Sequence, residues 1–339
     1  MSMAEFLSNY GLFLAKTATV VVAFGLILAM LASVPRRGRR QAGEHLEVTN
    51  LNEKYRKLAG ALRTAVLPKK AVKRVRKSDK AERKRQDKQR TKPDAPRRKR
   101  VFVIDFHGDI RATGVASLRE EVSAVLAEAG EGDEVLVRLE NAGGLVHEHG
   151  LAASQLARVR ARQVPLTVAV DKVAASGGYL MACVADRVIA APFAIVGSIG
   201  VLTQLPNFHR LLDQHGVDFE QVKAGEYKRT LTMFGVNTDA DRAKVQEQVD
   251  DTHQLFKDFV AEYRPALELA KVATGEYWYG RQAVALGLVD ELSTSDDYLI
   301  RASDEADLYQ VKYSIKKRVA ERLIGSLQRA AEAVLFNRP

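Results

Sequence analysis

Ser176, followed by Gly177 and Gly178, interrupts a run that otherwise reads as core, "DKVAASGGYLMACVADRV" at residues 171–188. Two glycines inside a helix cost about 1 kcal/mol each against alanine, and a buried hydroxyl costs more unless it is paired. Such residues belong where the backbone needs unusual dihedrals or where something approaches the chain closely. A serine at the apex of a strand-to-helix turn exposes its hydroxyl near the positive end of a helix dipole, and glycines beside it admit a substrate. The pattern is not the G-x-S-x-G elbow, because residues 174–178 read A-A-S-G-G. The competing reading is a serine N-cap followed by a glycine packing contact. On this stretch alone the two readings balance.

A second glycine pair, Gly143 and Gly144 in "ENAGGLV", follows an apolar run. Glycines there free backbone N–H groups to point into a site, as an oxyanion hole requires. A nucleophilic serine also needs a base. His107 is the one histidine at an evident strand end, and no triad is visible. His147 and His149 in "HEH" lie two apart and do not share a helix face, so no metal site is expected, and no cofactor. A lysine serves as base when burial lowers its pKa. "VKAGEYKRTLTMFG" at 222–235 offers Lys223 and Lys228, and spacing does not choose between them. Cys183, the only cysteine, reads as a small buried hydrophobe and excludes an internal disulfide.

The elements that must position these residues alternate. Apolar runs at 101–106, 133–140, 165–173 and 186–192 read as strands, and 117–129, 150–163 and 177–185 as helices. That order indicates parallel βαβ units with helices covering the sheet, and right-handed crossovers place the strand ends on a common edge. A long helix is expected from Asp239 to about Ala273, interrupted near Pro265. In the tail, Val319, Leu323, Leu327 and Val334 fall on one stripe, expected as core or subunit contact.

The net charge of +10 is unevenly spread. Residues 36–100 hold 25 Lys and Arg against 7 Asp and Glu, a net of +18, which leaves a mildly acidic body. Thr17 to Val34 is 18 residues without a charge, close to the ~20 needed to span a bilayer. The basic cluster comes after this run, so the run reads as an uncleaved anchor and not a cleaved signal, and the charge bias favours the cytoplasmic side for residues beyond 35. Residues 41–67 are expected to form one or two short helices. Residues 68–100 have almost no large apolar side chains and are expected to be a flexible tether touching anionic lipid. With no aromatic residue interleaved for stacking, nucleic acid is not an expected partner.

"AASGGYLMA", "GSIGV" (197–201), "GEYKRTLTMFG" and "GRQAVALGLVDEL" (280–292), in that order, resemble the signal peptide peptidase A family of serine proteases. The likeness covers residues 101–300, and the anchor and basic arm fit its SohB-type branch. It implies an α/β fold, a ClpP/crotonase-type spiral of ββα/βαβ units. The division it supports is an anchor at 1–35, a basic juxtamembrane linker at 36–100, the protease domain at 101–300 and a C-terminal extension at 301–339. It implies a Ser–Lys dyad: Ser176 as nucleophile, Lys228 and not Lys223 as base, Ser198 of "GSIG" orienting the lysine, and the N–H groups of Gly143 and Gly177 as the oxyanion hole. Ala142 stands where the family often has proline. The resemblance implies homo-oligomers that share sites between subunits, and peptide or unfolded-protein substrates at the bacterial inner membrane. The alternatives are a crotonase-type acyl-CoA enzyme and a non-catalytic membrane scaffold on the same fold.

Overall fold

The computed structural model describes Lys16, Thr17, Thr19, residues 45–90 and residues 97–314. Residues His45–Ser314 form one compact unit. It begins with strand β1 (His45–Asn50), helix α1 (Leu51–Val66) and helix α2 (Lys69–Arg90). Strand β2 (Arg100–His107), α3 (Val115–Glu128), β3 (Glu134–Glu140), α4 (Val146–Ala161) and β4 (Leu166–Val170) continue as the expected alternation. Then come β5 (Val173–Ala175), α5 (Gly177–Ala182), β6 (Arg187–Ala190), β7 (Ile195–Gly197) and α6 (His209–Gln214). The chain proceeds through α7 (Asp239–Tyr263), α8 (Leu269–Val272), β8 (Tyr277–Tyr279), α9 (Gly280–Ala285), β9 (Glu291–Leu292), α10 (Ser295–Glu305) and β10 (Asp307–Ser314).

Seven strands make the main sheet in the order β1-β10-β2-β3-β4-β6-β9. All neighbours are parallel except β1 with β10. Strand β2 shows why its run carries apolar residues on both faces. Phe102, Ile104 and Phe106 pack with Leu118, Val122 and Val125 of α3 and Leu156 of α4. Val101 and Val103 face the other way, toward Leu51 of α1 and Leu299 of α10. A parallel sheet covered on both faces needs apolar residues on both sides of each strand.

Three expectations change. The expected strand 165–173 divides after Val170, and the chain leaves the main sheet for a second one, β5-β7-β8. Asp171 at the bend takes hydrogen bonds from the backbone N–H (2.8 Å) and Oγ (2.5 Å) of Ser295. The compact unit also extends beyond 101–300 at both ends, because β1 and β10 complete its sheet. Buried Asn52 seals the junction: Nδ2 donates to the carbonyls of Ser303 and Ala306, and Oδ1 accepts from Leu308 N–H at 2.7 Å. Finally, Lys69–Arg90 is a 22-residue helix and not a structureless tether. Its Lys, Arg, Gln, Glu and Ala are good helix formers, and half-buried Ala71, Val72 and Val75 give it a narrow inner edge. The expected long helix does stop before Pro265, at Tyr263.

Among the described residues no helix is long and apolar enough to cross a membrane. The expected anchor, apart from Thr17 and Thr19, and the apolar stripe of the tail lie outside the described residues.

Candidate active site

Ser176 stands between β5 and α5 with φ 52° and ψ −119°. A non-glycine residue held at positive φ is strained, and such strain persists where the surroundings over-determine it. Here Ser176 N–H donates to Gly197 O at 2.8 Å, and Ser176 O accepts from Leu180 N–H at 3.0 Å. Its side chain makes no capping hydrogen bond. The N-cap alternative therefore does not hold: the residue is half-buried, and its Oγ has no partner among the described residues. The N–H of Gly177, first residue of α5, has no helical partner because the first turn never does.

Ser198 repeats the geometry next door. It comes directly after β7 with φ 51°, its N–H donates to Glu276 O at 2.7 Å, and its Oγ reaches Gly275 O at 3.4 Å. Because β5 and β7 run parallel with Ala175 opposite Gly197, the two serines leave adjacent strands at the same step.

The glycines are required sterically. A Cβ on Gly143 would come within 2.7 Å of Ser176 Cβ, and one on Gly178 within 2.0 Å of Asn141 O. Gly143 thus lies against Ser176, as expected, but its N–H does not face an open site. It donates to Asn141 Oδ1 at 2.9 Å, an Asx-type turn. Among the described residues two N–H groups of this loop have no partner, those of Ala142 and Gly144, and Gly144 is the one that follows the Asx turn. Sequence spacing does not reveal this, although an asparagine two residues before a glycine is the usual signal for such a turn.

Of the two lysines, Lys223 is committed: Nζ donates to the carbonyls of Glu226 (3.3 Å) and Arg229 (3.1 Å). Lys228 is exposed, and among the described residues no hydrogen bond joins it to Ser176 or Ser198. It rides on residues 201–238, a segment with exposed Leu202, Leu205, Leu211, Val222 and Val236. Among the described residues no hydrogen bond joins a histidine to Ser176. His107 is exposed, 3.6 Å from Glu140. His147 is exposed beside Glu148. His149 is fully buried, with both ring nitrogens on protein oxygens. Cys183 is buried, its Sγ donating to Leu180 O, and burial pushes its thiol far above the usual range. Among the described residues no group of three or more His, Cys, Asp or Glu is placed to hold a metal ion.

A mixed α/β fold with, on a strained strand-to-helix turn, a serine whose Oγ has no partner among the described residues defines a serine-hydrolase class of site. Comparison with known proteins narrows it. Residues 5–156 match the peptidase family S49 N-terminal region and residues 158–309 match peptidase family S49. The probable protease SohB of Haemophilus influenzae is 44% identical over 341 residues, covering 98% of this chain and 95% of that one. The probable protease SohB of Buchnera aphidicola subsp. Acyrthosiphon pisum is 52% identical over 230 residues, 68% of each chain. Among solved structures, a membrane-bound stomatin-specific protease aligns over 61% of this chain and 85% of its own, at 11% identity and TM-score 0.41. The chain belongs to peptidase family S49 and is a serine-type protease.

Proposed function

We propose that Ser176 is the nucleophile of a Ser–Lys endopeptidase and that Lys228 reaches it from a neighbouring subunit. The observation that carries this reading is Ser176 itself, strained, half-buried and uncommitted between two glycine turns. The exposed Lys228 on a segment with several exposed apolar side chains supports a site completed by assembly, since burial against another copy would both cover those side chains and lower the lysine's pKa. Neutral Lys228 takes the proton from Ser176 Oγ as Oγ bonds to the scissile carbonyl carbon. The proton passes to the departing amine as the C–N bond breaks, and water then hydrolyses the acyl-enzyme. Ser198 orients the lysine. Gly177 N–H and, in place of the engaged Gly143 N–H, Gly144 N–H hold the developing oxyanion.

The reading extends to place and substrate. Residues 17–34 anchor the chain in the bacterial inner membrane as a single pass, and the basic α2 contacts anionic headgroups. The substrates are extended, largely apolar peptides such as signal-peptide remnants or fragments of membrane and exported proteins. The ClpP/crotonase-type spiral is supported by the step from the main sheet into the second sheet between Val170 and Val173.

The test is mass spectrometry of the full-length chain in detergent after a serine-reactive fluorophosphonate, beside Ser176→Ala and Lys228→Ala. Labelling of Ser176 abolished in both variants supports the dyad. No labelling of a folded, oligomeric wild type, with turnover of a CoA thioester, would move the assignment to the acyl-CoA alternative.

A further inference from the structure

Beneath the turn that carries Ser176 lies a polar pair with no part in the dyad. Asn141 and His149 are almost wholly buried, at 1% and 0% exposure. Asn141 is fixed at every polar atom. Its N–H donates to Val173 O and its carbonyl accepts from Ala175 N–H, so its backbone is stitched to β5. Its Nδ2 meets Met181 Sδ at 3.3 Å, and its Oδ1 accepts from Gly143 N–H. That last bond fixes which side-chain atom is oxygen, because a flipped amide would set N–H against N–H.

His149 Nε2 lies 3.2 Å from this same Oδ1. Since Oδ1 is an acceptor, the contact is a hydrogen bond when Nε2 carries a proton. The other nitrogen, Nδ1, lies 3.0 Å from Leu145 O, one turn back in the chain. The ring also fills the space behind the nucleophile: a Cβ on Gly177 would fall 2.4 Å from His149 Cγ. One buried imidazole therefore touches the backbone of Gly177 and, in the tautomer protonated at Nε2, holds the side chain that holds Gly143.

We infer that His149 and Asn141 are positioning residues that set both oxyanion donors at once, Gly177 N–H by direct packing and Gly144 N–H by locking the preceding Asx turn. This rests on the assignment of Ser176 as nucleophile. Neither side chain touches substrate. They act by keeping two backbone N–H groups aimed where charge develops, and preorganisation of that kind supplies catalysis without reorganisation at the moment of reaction.

The experiment uses the full-length chain with four variants: His149→Phe, which keeps a ring against Gly177 but removes both ring nitrogens, Asn141→Leu, Asn141→Asp, which keeps an acceptor for Gly143, and the double variant His149→Phe/Asn141→Leu. Two readouts are taken: hydrolysis of a fluorogenic peptide, and amide hydrogen exchange. His149→Phe and Asn141→Leu should each lower kcat by about 10- to 100-fold with KM within about twofold. The double variant should lose no more than the worse single one, and Asn141→Asp should recover most of the loss. Gly143 N–H should exchange at least about tenfold faster in both single variants, while β2 amides keep their protection.

Purely structural roles would give losses that multiply in the double variant, with KM and β2 exchange moving alongside kcat, and that result overturns the inference. So does wild-type Gly143 exchange in a folded His149→Phe chain, whatever the identity of the nucleophile. A wild-type chain that the fluorophosphonate does not label at Ser176 overturns the assignment beneath it, a failure seen before any variant is made.

Discussion

Ser176 and Ser198 leave neighbouring parallel strands one residue beyond the register pair Ala175–Gly197, both at φ close to +50°. Only two other non-glycine residues among those described, Ala112 and Gln163, have positive φ. Adjacent strands lie about 4.8 Å apart, so equal departures from equal registers set two hydroxyl-bearing residues side by side, each held by a main-chain bond to the second sheet or its approach.

Ser198→Ala should separate the two roles. Among the described residues its Oγ has only a long contact to Gly275 O, so the fold loses little and Tm should stay within about 2 °C. Activity on a fluorogenic peptide should fall by about 10- to 100-fold, less than the loss of three or more orders of magnitude expected for Ser176→Ala. An equal loss for the two would show that Ser198 does more than orient.

Mixed assemblies test sharing of the site. Ser176→Ala and Lys228→Ala subunits, each inactive alone, should regain about one quarter of wild-type activity when co-assembled at equal ratio, if each site pairs a serine and a lysine from different copies in a closed ring. Verified mixed oligomers with no activity would place both groups in one subunit.

Two glycines predict opposite changes in stability. Gly178→Ala drives a Cβ to 2.0 Å from Asn141 O, a backbone atom that cannot move aside, and should destabilise by about 1–3 kcal/mol or more. Gly150 sits inside α4 with nothing within 4 Å of the Cβ position, so Gly150→Ala should stabilise by about 0.5–1 kcal/mol. Urea denaturation of both variants, read against wild type, checks the pair.

A pH dependence is built in far from the site. Glu121 on α3 is buried at 4% exposure, and its Oε1 accepts from Tyr313 N–H of β10 at 2.8 Å. Burial chiefly, with repulsion from Asp105, pushes its carboxyl up to about 7 against the opposing pull of the Tyr313 N–H and Lys312. The folded chain thus holds this proton more tightly than the unfolded chain, whose glutamate titrates near pH ~4.3. This group's contribution is greatest below about pH 4.3 and is lost as pH rises toward 7, a change of at most a few kcal/mol. Glu121→Gln keeps an acceptor for Tyr313 N–H, so it should match wild type at about pH 4.5 and exceed it by about 1–3 kcal/mol at about pH 8. Chemical denaturation at the two pH values measures the difference, and parallel curves would show that Glu121 is ionised in the fold.

Much of this molecule is readable along the chain. The alternation of apolar runs and amphipathic stretches marks β2 through α4, because each such element declares itself within a dozen residues. The same locality exposes the Ser-Gly-Gly turn: no packing argument favours those residues there, so the turn has to answer a steric demand, and Gly178 against Asn141 O is that demand. The break before Pro265 is likewise local. The stretch 165–173 is a different case, since two short strands separated by Asp171 and Lys172 show the same apolar pattern as one long strand.

What tertiary structure alone decided lies at long range or in the aim of single groups. Strands β1 and β10 pair across most of the chain, and each is too polar to be recognised until the other supplies its register. The helix at Lys69–Arg90 is hidden because charge density argues against a core, while helix propensity needs none. Gly143 and Gly144 are visible as a pair, yet which N–H is engaged depends on Asn141 Oδ1. The weight on Asn141 depends in turn on His149, whose buried place behind Gly177 no spacing in "HEH" announces. Sequence singled out the candidate residues, because their types are dictated by the proposed chemistry. The fold decided how they are aimed, because a backbone N–H points wherever its neighbours hold it.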